Sequence, residues 1–284
     1  MTIDEKKELQ LHAVAVREGI LTSAHGAGAG HPGGSLSAAD MFTYLYFREM
    51  RVDSKNPKNP NRDRFVLSKG HTAPGLYSVL AERGFFPKED LPTLRHIDSY
   101  LQGHPNMHTV PGVDMSTGSL GQGISAAAGM AKGAKYLGSD INTYTVLGDG
   151  ELAEGQVWEA AMFAAHYKLD NFCIIVDLNG LQISGETEKV MNTKPVDEKF
   201  ASFGCDVVEI DGHNFDDMES AFERFHENHG SGKPTVILMH TVKGKGVSYM
   251  ENNVEWHGKA PNDEEYERGM AELAAIRAEL EVGV

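Results

Sequence analysis

The stretch that most restricts the fold of this chain runs from Tyr144 to Gly180. It opens with an apolar run, Tyr144-Thr145-Val146-Leu147, that meets Gly148-Asp149-Gly150. An alanine-rich segment follows from Glu154 to Tyr167, and a second apolar run, Phe172 to Val176, ends at Asp177 and Asn179. Short apolar runs on either side of an amphipathic segment read as strand, loop, helix, strand: one βαβ unit with a polar residue just past each strand. Such a unit commits its two strands to run parallel, with the helix laid across one face. In an open parallel sheet, ligands gather outside the carboxyl ends of the strands. Asp149 and Asn179, 30 positions apart, therefore share one rim.

A carboxylate and an amide oxygen at such a rim suit a hard divalent cation on a diphosphate, because Mg²⁺ takes oxygen ligands and keeps phosphate oxygens and water in its shell. The glycines flanking Asp149 let backbone approach the phosphates. Gly-Asp-Gly by itself serves equally well for an ordinary crossover with a polar turn; the placement of Asn179 is what favours a metal–diphosphate site.

The rest of the chain repeats the alternation. Spacing predicts a helix from Asp4 to His25, a small-residue loop over Gly26–Ser35, and a capping signature at Ser37-Ala38-Ala39-Asp40 that opens a helix to about Glu49. Arg64–Leu67 reads as a strand and Pro74 stands early in a helix to about Arg83. Leu91–Tyr100 fits neither period. A helix rich in Ala and Gly starts after Gly123; its small residues permit close packing in the core or at a subunit interface. Beyond the central unit come a helix over 196–203, a strand over 207–210, a helix over 216–229, the strand Thr235–His240, and a charged amphipathic helix from Pro261 to Leu280. Strands alternating with helices predict an α/β fold: a doubly wound, mostly parallel sheet with helices on both faces. No second boundary is visible, so residues 1–284 read as one domain with a helical extension from about 261.

Composition narrows the function. A formal net charge of −15 without any offsetting basic stripe argues against nucleic-acid binding. The N-terminal residues hold no apolar signal region, and no apolar run reaches membrane-spanning length, so a cytoplasmic protein with no membrane partner is expected. Cys173 and Cys205 make no disulfide framework, and Cys173 sits inside an apolar strand.

The segment GDGELAEGQVWEAAMFAAHYKLDNFCIIVDLNG resembles the thiamine-diphosphate signature, and the family it resembles most is transketolase. Gly30-His31-Pro32-Gly33, Ser68-Lys69-Gly70-His71, Gly103-His104-Pro105, Thr117-Gly118-Ser119-Leu120-Gly121-Gln122-Gly123 and Glu255-Trp256-His257-Gly258 are similar to further motifs of that family, in the family's order. The resemblance covers about Leu11 to Lys259. It implies thiamine diphosphate and Mg²⁺ as cofactors, with Ca²⁺ or Mn²⁺ able to substitute. It implies that Asp149, Asn179 and the Leu181 carbonyl hold the metal, and that His71 and the Gly150 backbone meet the diphosphate. Gly118, Leu120 and Ile183 would position the rings. His31, His104 and His257 would line the substrate channel and assist proton transfer, a task suited to imidazole. Glu154 would join a hydrogen-bond network with the cofactor across a subunit interface. His96, His108 and His213 receive no role beyond packing, although Asp211-Gly212-His213 also occurs in the family.

This sequence departs from the family in one respect. Nothing after His257 could be the pyrimidine-type domain, which supplies the glutamate for the aminopyrimidine ring and much of the phosphate-binding surface. The resemblance therefore implies the N-terminal subunit of a split transketolase. Such a subunit would need a C-terminal partner chain, as an α₂β₂ assembly, to transfer a two-carbon ketol unit between sugar phosphates of the pentose phosphate type. Two other classes stay open: a subunit of another two-chain thiamine enzyme acting on 2-oxo acids, and a non-catalytic regulatory subunit. A histidine metal site fits poorly, since His31, His104 and His257 follow no compact ligand spacing. An NAD dehydrogenase fits poorly too, since no Gly-x-Gly-x-x-Gly follows a strand.

Overall fold

The computed structural model describes residues 1–282. In chain order the helices are α1 (Ile3–Ala27), α2 (Pro32–Ser37), α3 (Ala39–Tyr44), α4 (Ala73–Glu82), α5 (Gln122–Tyr136), α6 (Gly155–His166), α7 (Thr187–Val190), α8 (Val196–Ser202), α9 (Phe215–Glu227) and α10 (Asp263–Val282). The strands are β1 (Arg64–Leu67), β2 (Thr143–Gly148), β3 (Phe172–Leu178), β4 (Leu181–Gln182), β5 (Gly185–Glu186), β6 (Asp206–Asp211) and β7 (Thr235–His240). Five strands form one sheet in the order β1-β2-β3-β7-β6, every neighbouring pair parallel. β4 and β5 form a small antiparallel hairpin beside it.

Parallel strands buried on both faces read as continuous apolar runs, and alternate side chains go to opposite sides. Phe65, Leu67, Tyr144, Val146, Cys173, Ile175, Ile237 and Met239 join one apolar cluster with α1, α3, α4 and α9. Val66, Leu147, Ile174, Val176, Val236 and Leu238 join the other with α5, α6 and α8. Each such side chain contributes about 1.5–3 kcal/mol on burial. The sheet is therefore covered on both sides, as the alternating pattern predicts.

The connection leaving β3 runs to α8, whose Phe200 belongs to the second cluster. The connection leaving β7 runs to Val247, Met250 and Trp256, which belong to the first. Chains departing to opposite faces from adjacent strands leave a crevice at the carboxyl rim, the place where doubly wound folds bind ligands.

Two local expectations change. The first α2 residue is Pro32, not a residue after Ser37, and neither α2 nor α3 has a side-chain cap. The Ser37 hydroxyl is instead engaged by a buried carboxylate, at 2.6 Å from Asp177 Oδ2. The helix expected to reach Glu49 passes at Leu45 into a π-helical turn over Leu45–Glu49. The ambiguous segment Leu91–Tyr100 overlaps the end of a 3₁₀ turn over Lys88–Thr93 and has no helix or strand beyond it. The C-terminal α10 docks on α1: Leu273 is buried, and Arg277 donates to Glu18 at 2.7 Å. No described helix is long and apolar enough to cross a membrane.

Candidate active site

Asp177, the last fully buried residue of β3, is the polar centre beneath the rim. It accepts from Lys69 Nζ, from Ser37 Oγ at 2.6 Å, from Thr241 Oγ1 and from Asn179 Nδ2 at 3.3 Å. Burial works against its charge, but the Lys69 ammonium and these donors prevail and hold its carboxyl below the ordinary range. Strand ends β1, β3 and β7 and helix α2 are thus tied at one carboxylate.

Asp149 stands one strand over, 6% exposed. Its oxygens accept the N–H groups of Gly150 at 2.7 Å and Gly180 at 2.5 Å. Burial and the neighbouring charge of Asp177 push its carboxyl up to about 6. A buried carboxylate in that state is one that a cation relieves. Asn179 is oriented by its amide N–H to Asp177, while its Oδ1 accepts the Leu181 N–H at 3.1 Å. Gln182, beside these residues, has its Oε1 buried with no hydrogen-bond partner. Among the described residues no three His, Cys, Asp or Glu side chains form a metal-ligand group. The donors on hand are carboxylate, amide and carbonyl oxygens, the hard set that Mg²⁺ takes alongside phosphate oxygens, so the residues fit a metal-bound diphosphate.

Glu151 is the second buried acid. It accepts from Ser68 Oγ at 2.5 Å, Gly121 N–H at 2.8 Å and Gly148 N–H at 3.1 Å, which joins the loops after β1, before α5 and after β2. Burial raises its carboxyl pKa despite those donors. Gly121 adopts φ +80°, and a Cβ there would stand 2.9 Å from the Glu154 Cβ, so only glycine fits this turn.

Three imidazoles close the other wall. Ring centroids lie 5.2 Å apart for His31 and His71, 5.2 Å for His71 and His257, and 5.5 Å for His31 and His257. Gly33 permits the approach, since a Cβ there would meet the Trp256 carbonyl oxygen at 2.8 Å. Burial, then the Arg95 charge, lowers His31 to about 4. Burial, then the Lys243 charge, lowers His257 to about 3. His71 is likewise held well below its ordinary value by burial and Lys69. All three are neutral near pH 7 and can accept as well as donate. Lys243 Nζ lies 3.2 Å from His257 Nδ1; burial and the Lys69 charge lower its ammonium to about 8.

His31, His71, Gly118, Leu120, Asp149, Gly150, Asn179, Leu181, Ile183 and His257 all line one cavity of about 290 Å³. Two expected residues do not. His104 is exposed and lines an adjoining cavity that shares Gly118, its ring 3.1 Å from where a Gly118 Cβ would be. Glu154 is exposed at the start of α6 and turned outward, and the acid that faces the cavity is Glu151. Sequence reasoning passed over Lys69, Glu151, Asp177, Gln182 and Lys243. Lys69 lies inside Ser68-Lys69-Gly70-His71, Asp177 ends the second strand run, and Lys243 follows a strand as the first lysine of Lys243-Gly244-Lys245.

Comparison with known proteins places this geometry in a family. A family model described as the thiamine diphosphate binding domain of transketolase matches residues 10–276. Over 267 residues the chain is 44% identical to an apulose-4-phosphate transketolase subunit from Actinobacillus succinogenes, covering 94% of this chain and 96% of that one. Over 270 residues it is 43% identical to the 6-deoxy-6-sulfo-D-fructose transketolase subunit SqwG of a Clostridium species, covering 95% and 98%. The crystal structure of transketolase from Campylobacter jejuni superposes with a TM-score of 0.85 at 30% identity; the match covers 99% of this chain but 46% of that one. This chain thus spans under half the length of that solved relative.

Proposed function

The chain belongs to the transketolase family, and from that premise we propose that it is the cofactor-anchoring subunit of a two-chain transketolase. Asp149, Asn179 and the Leu181 carbonyl would hold Mg²⁺, and His71, Lys243 and the Gly150 backbone would receive the diphosphate. The observation that carries this reading is the pairing of Asp149 with Asn179 at adjacent strand ends, beside a buried ammonium and a triangle of neutral imidazoles. Thiamine diphosphate, when bound, supplies the carbanion that takes up a two-carbon ketol unit. Gly118, Leu120 and Ile183 would orient its rings. His31 and His257 accept or donate protons at the hydroxyl and carbonyl oxygens of a ketose, and His104 serves the same substrate from the adjoining cavity.

The sugar is divided between two chains in this reading. The two relatives named above carry names with ketose substrates that end in different anions, a phosphate in one and a sulfonate in the other. A shared ketol head and a variable tail match a histidine-lined cavity here and a tail site on a C-terminal, pyrimidine-type partner. The near-complete coverage of both relatives called subunits supports a separate partner chain, which we place in an α₂β₂ cytoplasmic assembly. The donor is a ketose with an anionic tail, of which the sugars of the pentose phosphate pathway are one class. The described residues 1–282 act as one domain, and residues 283–284 lie outside them.

The decisive test is Asp149→Ala in the two-chain complex. Retention of thiamine diphosphate in the presence of Mg²⁺, followed by calorimetry, should fall at least a hundredfold. Unchanged retention would remove the basis of the reading. Assaying ketose phosphates against 2-oxo acids separates this family activity from that of other two-chain thiamine enzymes.

A further inference from the structure

The Thr241–Gly246 segment has no helix or strand of its own, yet it carries Lys243 into the cavity. It is fixed from four sides. Thr241 Oγ1 donates to Asp177, and the Gly244 N–H donates to the Gly33 carbonyl at 2.9 Å. Arg17 Nε donates to the Lys245 carbonyl at 3.0 Å, and the Val242 N–H donates to His213 Nε2 at 2.9 Å. The last contact involves a residue that the sequence marked in Asp211-Gly212-His213 and that the cavity itself does not use.

The partners of His213 fix its tautomer. A backbone N–H can only donate, so Nε2 must be the bare nitrogen. Nδ1 then carries the hydrogen and donates to Asp40 Oδ2 at 2.7 Å. Asp40 also accepts the Arg17 guanidinium through both oxygens, at 2.9 and 2.6 Å. Burial disfavours the Asp40 charge, but Arg17 and His213 outweigh it and hold the carboxyl at about 2. The result is a chain of two buried side chains and one half-buried imidazole, from α1 through α3 to the β6–α9 turn, ending on the peptide next to Lys243. A carboxylate that orients an imidazole through Nδ1 sharpens the acceptor at Nε2, as in sites where a second carboxylate orients a ligating histidine.

We propose that His213 is a positioning residue: by accepting the Val242 N–H it sets where the Lys243 ammonium stands in the cavity. This rests on the reading of the cavity as a diphosphate site. It goes beyond that reading by assigning the Arg17–Asp40–His213 chain, which touches no part of the cavity, a share in cofactor affinity. The alternative is that His213 merely fills space between β6 and α3.

Two substitutions in the assembled two-chain enzyme separate these. His213→Asn keeps a donor near Nδ1 for Asp40 but is too short to offer an acceptor at Nε2. His213→Gln places its amide oxygen near the Nε2 position. Amide exchange over 241–247 should quicken roughly tenfold in the Asn variant, the scale set by one lost hydrogen bond, and return in the Gln variant. The dissociation constant for thiamine diphosphate should rise several-fold in the first and recover in the second. Unchanged exchange over 241–247 in the Asn variant overturns the proposal. Equal quickening over 39–44 and 206–211 overturns it too, since that is what a packing residue would do. Failure of the unaltered complex to bind thiamine diphosphate would instead strike the reading of the cavity, and the exchange measurement would still decide the role of His213.

Discussion

In the proposed reading, Lys243 and His104 divide the work of this cleft between holding and turning over. Lys243 has a folded-state pKa of about 8, below its ordinary 10.5, because burial and Lys69 oppose its charge. As pH rises through 8 the free protein loses that charge, so affinity for a diphosphate should fall by up to roughly tenfold per unit. Folding responds in the opposite sense: between 8 and 10.5 the unfolded chain binds more protons, so this residue makes stability rise with pH across that window. Calorimetric titration with thiamine diphosphate from pH 7 to 9 checks the first statement, and Lys243→Met should flatten the curve. His104 stands outside the main cavity with its ring against Gly118. His104→Ala should leave cofactor retention within twofold and lower kcat by about 10²-fold, the usual scale for a lost proton-transfer group. Steady-state rates at saturating cofactor would show it; weakened retention would move His104 into the anchoring set. At this scale the shared rim of Asp149 and Asn179 was legible because a parallel crossover puts both residues at neighbouring strand ends. The burial of Glu151 was not legible, whereas a Glu154 exposed on the single chain is what a role across a subunit interface requires. Which of two acids three residues apart turns inward depends on the 3₁₀ turn over Gly150–Ala153, not on spacing.

Among the elements, the loops at the carboxyl rim depend on Glu151. Glu151→Ala would strand the Ser68 hydroxyl and the Gly121 and Gly148 amides without their acceptor. At about 1–3 kcal/mol for each unsatisfied buried donor, partly relieved by water, the loss should reach about 3 kcal/mol. Urea unfolding monitored by circular dichroism measures it, and a loss under about 1 kcal/mol would mean that the loops are fixed by other contacts. Strand bounds followed the apolar runs closely where both faces were buried: β1 and β7 lie where the runs predict. The segment around Ser37 did not follow its local signal. The hydroxyl that a free helix would use as a cap is taken by Asp177, which is 140 positions away, and α2 instead starts at Pro32.

For the molecule as a whole, one side of the cleft is open. Ile183 lines the cavity yet is 68% exposed, as a ring-packing residue would be when its cover comes from elsewhere. The purified chain alone should show no ketol transfer in a coupled assay. Adding a pyrimidine-type partner should restore it, with light scattering giving two copies of each chain. Transfer by the single chain at the rate of the complex would remove the need for a partner.

The sequence by itself determined the class of fold and the common rim of Asp149 and Asn179, because strand and helix periods are local and the parallel crossover fixes where strand ends lie. Tertiary structure alone decided how the charges are shared. It buried Lys69 against Asp177, brought Lys243 beside His257, turned Glu154 outward and set His213 behind Val242. Those outcomes depend on which distant segments desolvate or neutralise a group, and a pattern of neighbours along the chain carries no such information.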